Sequence, residues 1–391
     1  MKRNRWLNVV LSVAGVGALL AYVVACRPSW SPDGTKLLFP CGQGDVTGIV
    51  LLDKTTGESR LIFQVPKGYV AWCQWDRKGE YAIVACAVVG VGESDELQVH
   101  LVPVDPKKPH RSFEIDSAEG TPGLPFPEVN GCLFLGGKSL VRLDLKTGQV
   151  ERRELDDEED EGEDDEDEAE DGEEEEEAEI LLVSQGDRIY YCTKDEEDYE
   201  IGTVDPKDLS LKPLAELSRK DVGEIVPLMG VARDGSAVAV GSKKEGQNHL
   251  HVIRADGFRK SLPLELPNET YQLGNLEWSA DGKTIYAALA KAEKDPDLIG
   301  LGVAEITVAS GKVRQIPVLE EPGGDGGPDS GIWILDFQIA LSPDGKTIAA
   351  APGYLEESQD EKKRAVYLVD LTRPGRDVTR MPVSLGEDSG P

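Results

Sequence analysis

Trp30-Ser31-Pro32-Asp33-Gly34, followed by Lys36-Leu37-Leu38-Phe39, is the stretch whose reading decides the fold. Proline presets φ at the second turn position, aspartate bonds its own backbone, and glycine accepts the left-handed conformation that closes a tight turn. The stretch therefore predicts a hairpin between two antiparallel strands. One copy would mean little, but the pattern returns. Trp278-Ser279-Ala280-Asp281-Gly282 precedes Thr284-Ile285-Tyr286, and Leu341-Ser342-Pro343-Asp344-Gly345 precedes Thr347-Ile348-Ala349. Looser copies are Trp75-Asp76-Arg77-Lys78-Gly79 before Tyr81-Ala82-Ile83-Val84, and Ala232-Arg233-Asp234-Gly235 before Ala237-Val238-Ala239-Val240.

A second hairpin signal follows in each unit: Asp53-Lys54-Thr55-Thr56-Gly57, Lys146-Thr147-Gly148, Ala255-Asp256-Gly257, Ala309-Ser310-Gly311 and Arg373-Pro374-Gly375. Asp105-Pro106 and Asp205-Pro206 supply comparable turns where the glycine is missing. Two hairpins per unit mean four strands, and no amphipathic helix of a dozen residues interrupts the series. Gly34 to Gly79 is 45 positions, Gly186 to Gly235 is 49 and Gly235 to Gly282 is 47, the length of a propeller blade. Units start near Arg27, Ala71, Phe126, Glu179, Leu228, Asn275 and Leu335, the third being short and poor in signals. The expectation is an all-β chain: a β-propeller of four-stranded antiparallel blades over residues 27–386, with seven blades and six as the alternative. Asp33, Gly34, Gly79, Asp234, Gly235, Asp281, Gly282, Asp344 and Gly345 are then structural turn residues.

These turn copies resemble the WD-repeat-like repeat of TolB-type proteins and of the propeller domains of prolyl oligopeptidase-like enzymes. The resemblance covers nearly all of residues 27–386 and implies a bacterial propeller that binds a periplasmic partner. The separate N-terminal α/β domain of TolB-type proteins is missing here. Because the repeat is shared by proteins with unrelated roles, it carries architecture and little function.

The chain has 391 residues and a formal net charge of −31. Residues 156–179 supply 20 acids and no base, which leaves −11 for the rest. Such a run cannot bury apolar surface and repels itself, so it reads as a disordered insertion between the third and fourth units. Beyond a tolerated insertion, closely spaced carboxylates suit hard cations such as Ca2+ or a basic partner, although nothing in the spacing resembles an EF-hand. No basic stripe exists to neutralise phosphates, which argues against nucleic acid.

Lys2, Arg3 and Arg5 precede an almost wholly apolar run from Trp6 to Cys26, long enough for one membrane-spanning hydrophobic helix. The basic end stays in the cytoplasm and the remainder crosses. Val23-Val24-Ala25-Cys26 resembles a lipobox, which makes Cys26 the candidate lipidation residue; an uncleaved anchor is the alternative. Residues 1–26 are thus a signal or anchor segment, and residues 387–391 a tail.

Catalytic signatures are missing. There is no Gly-x-Ser-x-Gly elbow, and the last blade ends a few residues from Pro391, which leaves no room for a hydrolase domain. Of His100, His110, His249 and His251, the pair His249-x-His251 falls on one face of a strand but lacks a third ligand, so all four are read as ordinary residues on the third strand of their blade and no metal ligand is assigned. The cysteines at 26, 41, 73, 86, 132 and 192 contain no Cys-x-x-Cys. Cys41, Cys86 and Cys192 recur at one place in their units, as small buried hydrophobes would. A disulfide such as Cys73 with Cys86 is compatible with export, but sequence does not fix pairing. Asn268-Glu269-Thr270 is a glycosylation sequon by pattern only. Long polar connections at 118–127, 291–299, 320–331 and 354–363 are where a partner site is expected. Together these features point to a non-catalytic, membrane-tethered, extracytoplasmic propeller, without cofactor, that binds or scaffolds a protein or peptide partner at the cell envelope. The alternative is a glycan- or peptide-processing propeller with a carboxylate site at the central channel.

Overall fold

Strand residues at alternate positions point to opposite faces, and here both sets are apolar. In Lys36–Gln43, Leu37, Phe39 and Cys41 pack to one side while Leu38 packs to the other, all four fully or almost fully buried. In Tyr81–Val88, Ile83 and Ala85 face one way and Ala82, Val84 and Cys86 the other. A sheet buried on both faces must be sandwiched between two others, and repetition of that demand closes a ring.

The computed structural model describes residues 27–43, 46–65, 69–88, 96–115, 128–136, 139–154, 180–185, 187–194, 198–266, 271–292, 298–322, 337–352 and 365–383. Within them the chain forms seven four-stranded antiparallel sheets, each from one consecutive stretch. Blade 1 holds β1 (Ser29–Trp30), β2 (Lys36–Gln43), β3 (Val46–Asp53) and β4 (Ser59–Val65), and blade 2 holds β5 (Tyr69–Trp75), β6 (Tyr81–Val88), β7 (Glu96–Pro103) and β8 (Arg111–Ile115). Blade 3 holds β9 (Glu128–Val129), β10 (Cys132–Leu135), β11 (Ser139–Asp144) and β12 (Val150–Glu154); blade 4 holds β13 (Ile180–Gln185), β14 (Arg188–Lys194), β15 (Asp198–Val204) and β16 (Leu211–Ser218). After the one-turn helix α1 (Arg219–Val222) come blade 5, with β17 (Glu224–Val231), β18 (Ala237–Lys244), β19 (Gln247–Arg254) and β20 (Arg259–Pro263), and blade 6, with β21 (Tyr271–Trp278), β22 (Thr284–Ala292), β23 (Leu298–Thr307) and β24 (Val313–Pro322). Blade 7 is β25 (Phe337–Leu341), β26 (Thr347–Pro352), β27 (Ala365–Asp370) and β28 (Val378–Pro382). The fold is an all-β seven-bladed propeller, and the six-bladed alternative falls away.

The buried apolar residues form seven clusters, one at each junction between neighbouring blades. The junction of blades 7 and 1 is built like the rest: Trp30, Leu37, Phe39 and Leu52 pack on Ala340, Ala349, Val366 and Leu368. Both blades are complete from their own stretch of chain, and among the described residues no exchanged strand fastens the ring. Among the described residues side chains close it.

The turn signature has a second role that its local reading did not contain. Indole Nε1 of Trp30 donates to the Ala340 carbonyl, that of Trp75 to Ser29 and that of Trp278 to Gly230, each at 2.9 Å. Each acceptor lies on the innermost strand of the preceding blade. The turn glycines do likewise: Pro343 lies beside Gly34, Pro32 beside Gly79 and Ala280 beside Gly345. Gly235 has φ +66°, and a Cβ there would stand 2.9 Å from Arg188 Cδ; Gly282 has the same φ and open space. Gly235→Ala is therefore expected to cost more than Gly282→Ala, which loses only the left-handed term of about 1–2 kcal/mol. Chemical denaturation of the two variants checks the order.

Blade 3, poor in sequence signals, turns on Asn130-Gly131 with φ values of 56° and 82°, positive at both central residues as a two-residue hairpin loop prefers. Basic side chains on the outer strands tie blades together further out. Arg60 reaches the Val104 carbonyl, Arg111 those of Leu145 and Lys146, Arg153 that of Leu209 and Arg314 that of Pro374. Among the described residues no helix is long and apolar enough to cross a membrane; the N-terminal helix expected within residues 1–26 lies outside them.

Candidate functional site at the channel ends

The innermost strands line the axis, and the turns after them crowd one end of the channel. Arginine stands at the second turn position in blades 2 and 5, where blades 1 and 7 have proline. Arg77 donates to Asp187 Oδ1 of blade 4 at 2.5 Å and lies 3.7 Å from Glu128 Oε2 of β9. Arg233 of blade 5 donates to the Ser342 and Pro343 carbonyls of blade 7. Arg27, just ahead of β1, lies 3.6 Å from Glu277 of blade 6. Blade 2 to 4, 5 to 7 and 1 to 6: each bridge passes over a blade, which only groups facing the axis can do. This end is crossed by the protein's own arginines, two in ion pairs and one on backbone carbonyls.

Glu277 lies on β21, the innermost strand of blade 6. Burial pushes its carboxyl up, against the pull of Arg27 and Arg233. Glycosidase chemistry needs a second carboxyl close by, whereas among the described residues the charged groups acting on Glu277 are the Arg27 and Arg233 guanidiniums. The turn aspartates are structural. Asp33 Oδ1 accepts from Ser31 Oγ at 2.5 Å and Thr35 N at 3.0 Å, and Asp344 Oδ1 from Ser342 Oγ at 2.6 Å and Lys346 N at 3.1 Å. Asp281 repeats the pattern with Ser279 and Lys283, and Asp234 accepts from Ser236 N. In all four, side-chain hydrogen bonds lead the effects that hold the carboxyl below its usual range.

The histidines form two pairs. His249 and His251 on β19 stack, with centroids 6.3 Å apart. His251 Nε2 lies 2.8 Å from Ser242 Oγ, whose own proton goes to the Val222 carbonyl at 2.7 Å. The imidazole must therefore donate to the hydroxyl, the reverse of an activated serine. His110 departs from the sequence reading: it is not on a third strand but just ahead of β8, next to His100 of β7. A proline at 109 and the bend of the hairpin carry it there.

Cys41, Cys86 and Cys192 sit on the second strand of their blades, each at a blade junction, with burial pushing every thiol up to about 12. Cys73 and Cys86 are buried in one cluster. Among the described residues no group of three His, Cys, Asp or Glu could hold a metal. Cys26, Asn268 and residues 156–179, with the Ca2+ reading attached to them, lie outside the described residues, as does most of each long polar connection.

The antiparallel order fixes the end at which every connection attaches. First-to-second and third-to-fourth strand turns share the bridged end; second-to-third and blade-to-blade connections leave from the other. The residues between strands at the bridged end comprise 13 acids and 13 bases. Those at the opposite end comprise 42 acids and 8 bases, and still 22 against 8 without residues 156–179. Practically the whole net charge is attached to one end.

No family model and no curated protein sequence matches the chain. Similar solved structures include a complex of KlAtg21 with the coiled coil of AgAtg16, with TM-score 0.55 and 10% identity over 91% of this chain and 98% of that one. Another is a putative 6-phosphogluconolactonase from Bacteroides uniformis, with TM-score 0.54 and 12% identity over 89% and 97%. A third is the β-propeller domain of Cps50 (Swd1) from Myceliophteria thermophila, with TM-score 0.50 and 13% identity over 84% and 95%. TolB from Acinetobacter baumannii also aligns, but its TM-score of 0.39 is too low to carry an argument. At these identities the likeness shows the propeller fold alone.

Proposed function

We propose that the chain is a non-catalytic scaffold whose protein or peptide partner is basic and docks on the acidic end of the propeller, while the N-terminal segment holds the molecule on the extracytoplasmic face of a membrane. The observation that carries this reading is the uneven charge: 42 acids against 8 bases in the connections of one end, and balance at the other. A field of that sign gathers cationic surfaces, speeds their encounter and repels phosphate. The bridged end, filled by Arg77, Arg233 and the Arg27–Glu277 pair, offers a partner far less. KlAtg21, a propeller of the same general shape, is solved with a coiled coil from another protein, which supports a partner-binding role without naming the partner.

The test is purification of the full-length chain from membranes in mild detergent, beside a variant lacking residues 156–179. The deletion is expected to leave the melting midpoint unchanged, because a run of 20 acids and no base has almost no apolar surface to bury, and to weaken partner retention, with the surviving partner released at lower salt. Unchanged retention and salt sensitivity contradict the acidic-end reading. Recovery of the chain in the soluble cytoplasmic fraction contradicts the tether, and Cys26→Ser separates a lipidated chain, which loses its acyl group, from an uncleaved anchor, which is unaffected.

A further inference from the structure

His100 and His110 face each other across the outer hairpin of blade 2. His100 Nδ1 and His110 Nε2 are 3.2 Å apart, and the ring centroids 5.2 Å. Two nitrogens held at about 2.0–2.1 Å from one ion stand about 2.9 Å apart at a right angle and about 3.4 Å apart at a tetrahedral angle. The observed separation lies between those limits. Phe63, on the outer strand of blade 1, packs against both rings, 4.8 Å from His100 and 5.8 Å from His110, so two blades fix the pair before any ligand arrives. His110 is exposed, which opens the pair to solution.

We infer that His100 and His110 form a two-imidazole site for a borderline divalent transition-metal ion, Cu2+, Ni2+ or Zn2+, with water in the remaining positions. In the metal-free chain one N–H closes the contact between the rings. On binding, that proton moves to the other nitrogen of its own ring, leaving both facing lone pairs for the ion. Nitrogen donors select against Ca2+ and Mg2+, which distinguishes the site from any binding at the carboxylates of residues 156–179. Among the described residues these two are the protein ligands, so the site loads and releases its ion rather than holding it as part of the fold.

The experiment titrates Ni2+ and then Cu2+ into the metal-free full-length chain, with His110→Gln, His100→Asn and, as a control, His249→Gln. Calorimetry reads affinity, and electron paramagnetic resonance of the Cu2+ form reads the number of coordinated nitrogens. Wild type and His249→Gln are expected to bind one Ni2+ at this site about tenfold or more tightly than His110→Gln. The Cu2+ spectrum should show two nitrogens in wild type and at most one in either variant, and excess Ca2+ should not displace the ion. Equal affinity in wild type and His110→Gln, or displacement by Ca2+, overturns the assignment. Because His110 is exposed, its replacement leaves the fold intact even where His100→Asn does not.

Discussion

Trp30→Ala is expected to destabilise the propeller by about 3–5 kcal/mol, the range for removing a large buried aromatic side chain. Trp30 is 8% exposed, packs in the cluster that joins blades 7 and 1, and donates its indole N–H to the Ala340 carbonyl. The Lys54 ammonium lies 5.2 Å from its ring centroid. The milder Trp30→Phe keeps an aromatic ring but removes the hydrogen bond, whose loss costs about 1 kcal/mol, more where the carbonyl is left dry, together with part of the buried indole. Trp278→Phe removes the same bond to Gly230 at the junction of blades 5 and 6, where the chain itself joins the two blades. The seam between blades 7 and 1 has no such covalent link. Hydrogen exchange should therefore rise across β1 and β25 in Trp30→Phe and stay local in Trp278→Phe. Equal exchange patterns in the two variants contradict a ring closed by side chains.

Stability should fall as pH drops from about 6.5 to about 4, with His251 as a main cause. His251 is 5% exposed, and burial, with His249 adding to it, pushes it down to about 4. An unfolded chain takes up that proton near pH 6.5. Between the two values the unfolded state binds more protons, so acid favours unfolding there, and below about 4 the effect is complete. A shift of this size corresponds to up to about 3 kcal/mol. His251→Gln, which keeps a donor near Ser242, should flatten the slope of unfolding free energy against pH in this window. An unaltered slope contradicts the assignment. The turn aspartates add a separate loss at lower pH, because their carboxyls are held below the usual range and their hydrogen bonds fail on protonation.

The fold was legible in the sequence because each blade states its two hairpins in residues that have physical reasons to be there. Blade 3 was the hard one. Its signal is the dipeptide Asn130-Gly131, the favoured pair for a turn with two positive φ values, and it is overlooked when the search is for Asp-Gly preceded by proline. The channel bridges were less accessible. Arg77 and Arg233 read locally as a loosened turn, since their partners lie 110 residues away in Asp187 and Pro343 and only ring closure brings them together. The outer-strand arginines carry a repeat of their own, but a charge on an exposed strand reads as solvation until a neighbouring blade supplies the carbonyls. The charge asymmetry lay in the sequence throughout and becomes visible only when the strand order assigns each connection to an end. His110 was misplaced because hairpin length, set by Asp105-Pro106 and Pro109, decides which residue returns beside His100.

The central claim, a partner held on the acidic end of the propeller, is tested most directly by site-specific photocrosslinking of the full-length chain in its native membrane. Photoreactive residues are placed at exposed Lys220 and Glu245, on connections of the acidic end, and at exposed Ala280 and Asp256, on turns of the bridged end. The account predicts a crosslinked partner from Lys220 and Glu245, diminished by raised salt, and none from Ala280 and Asp256. Crosslinks from the bridged end alone would contradict it.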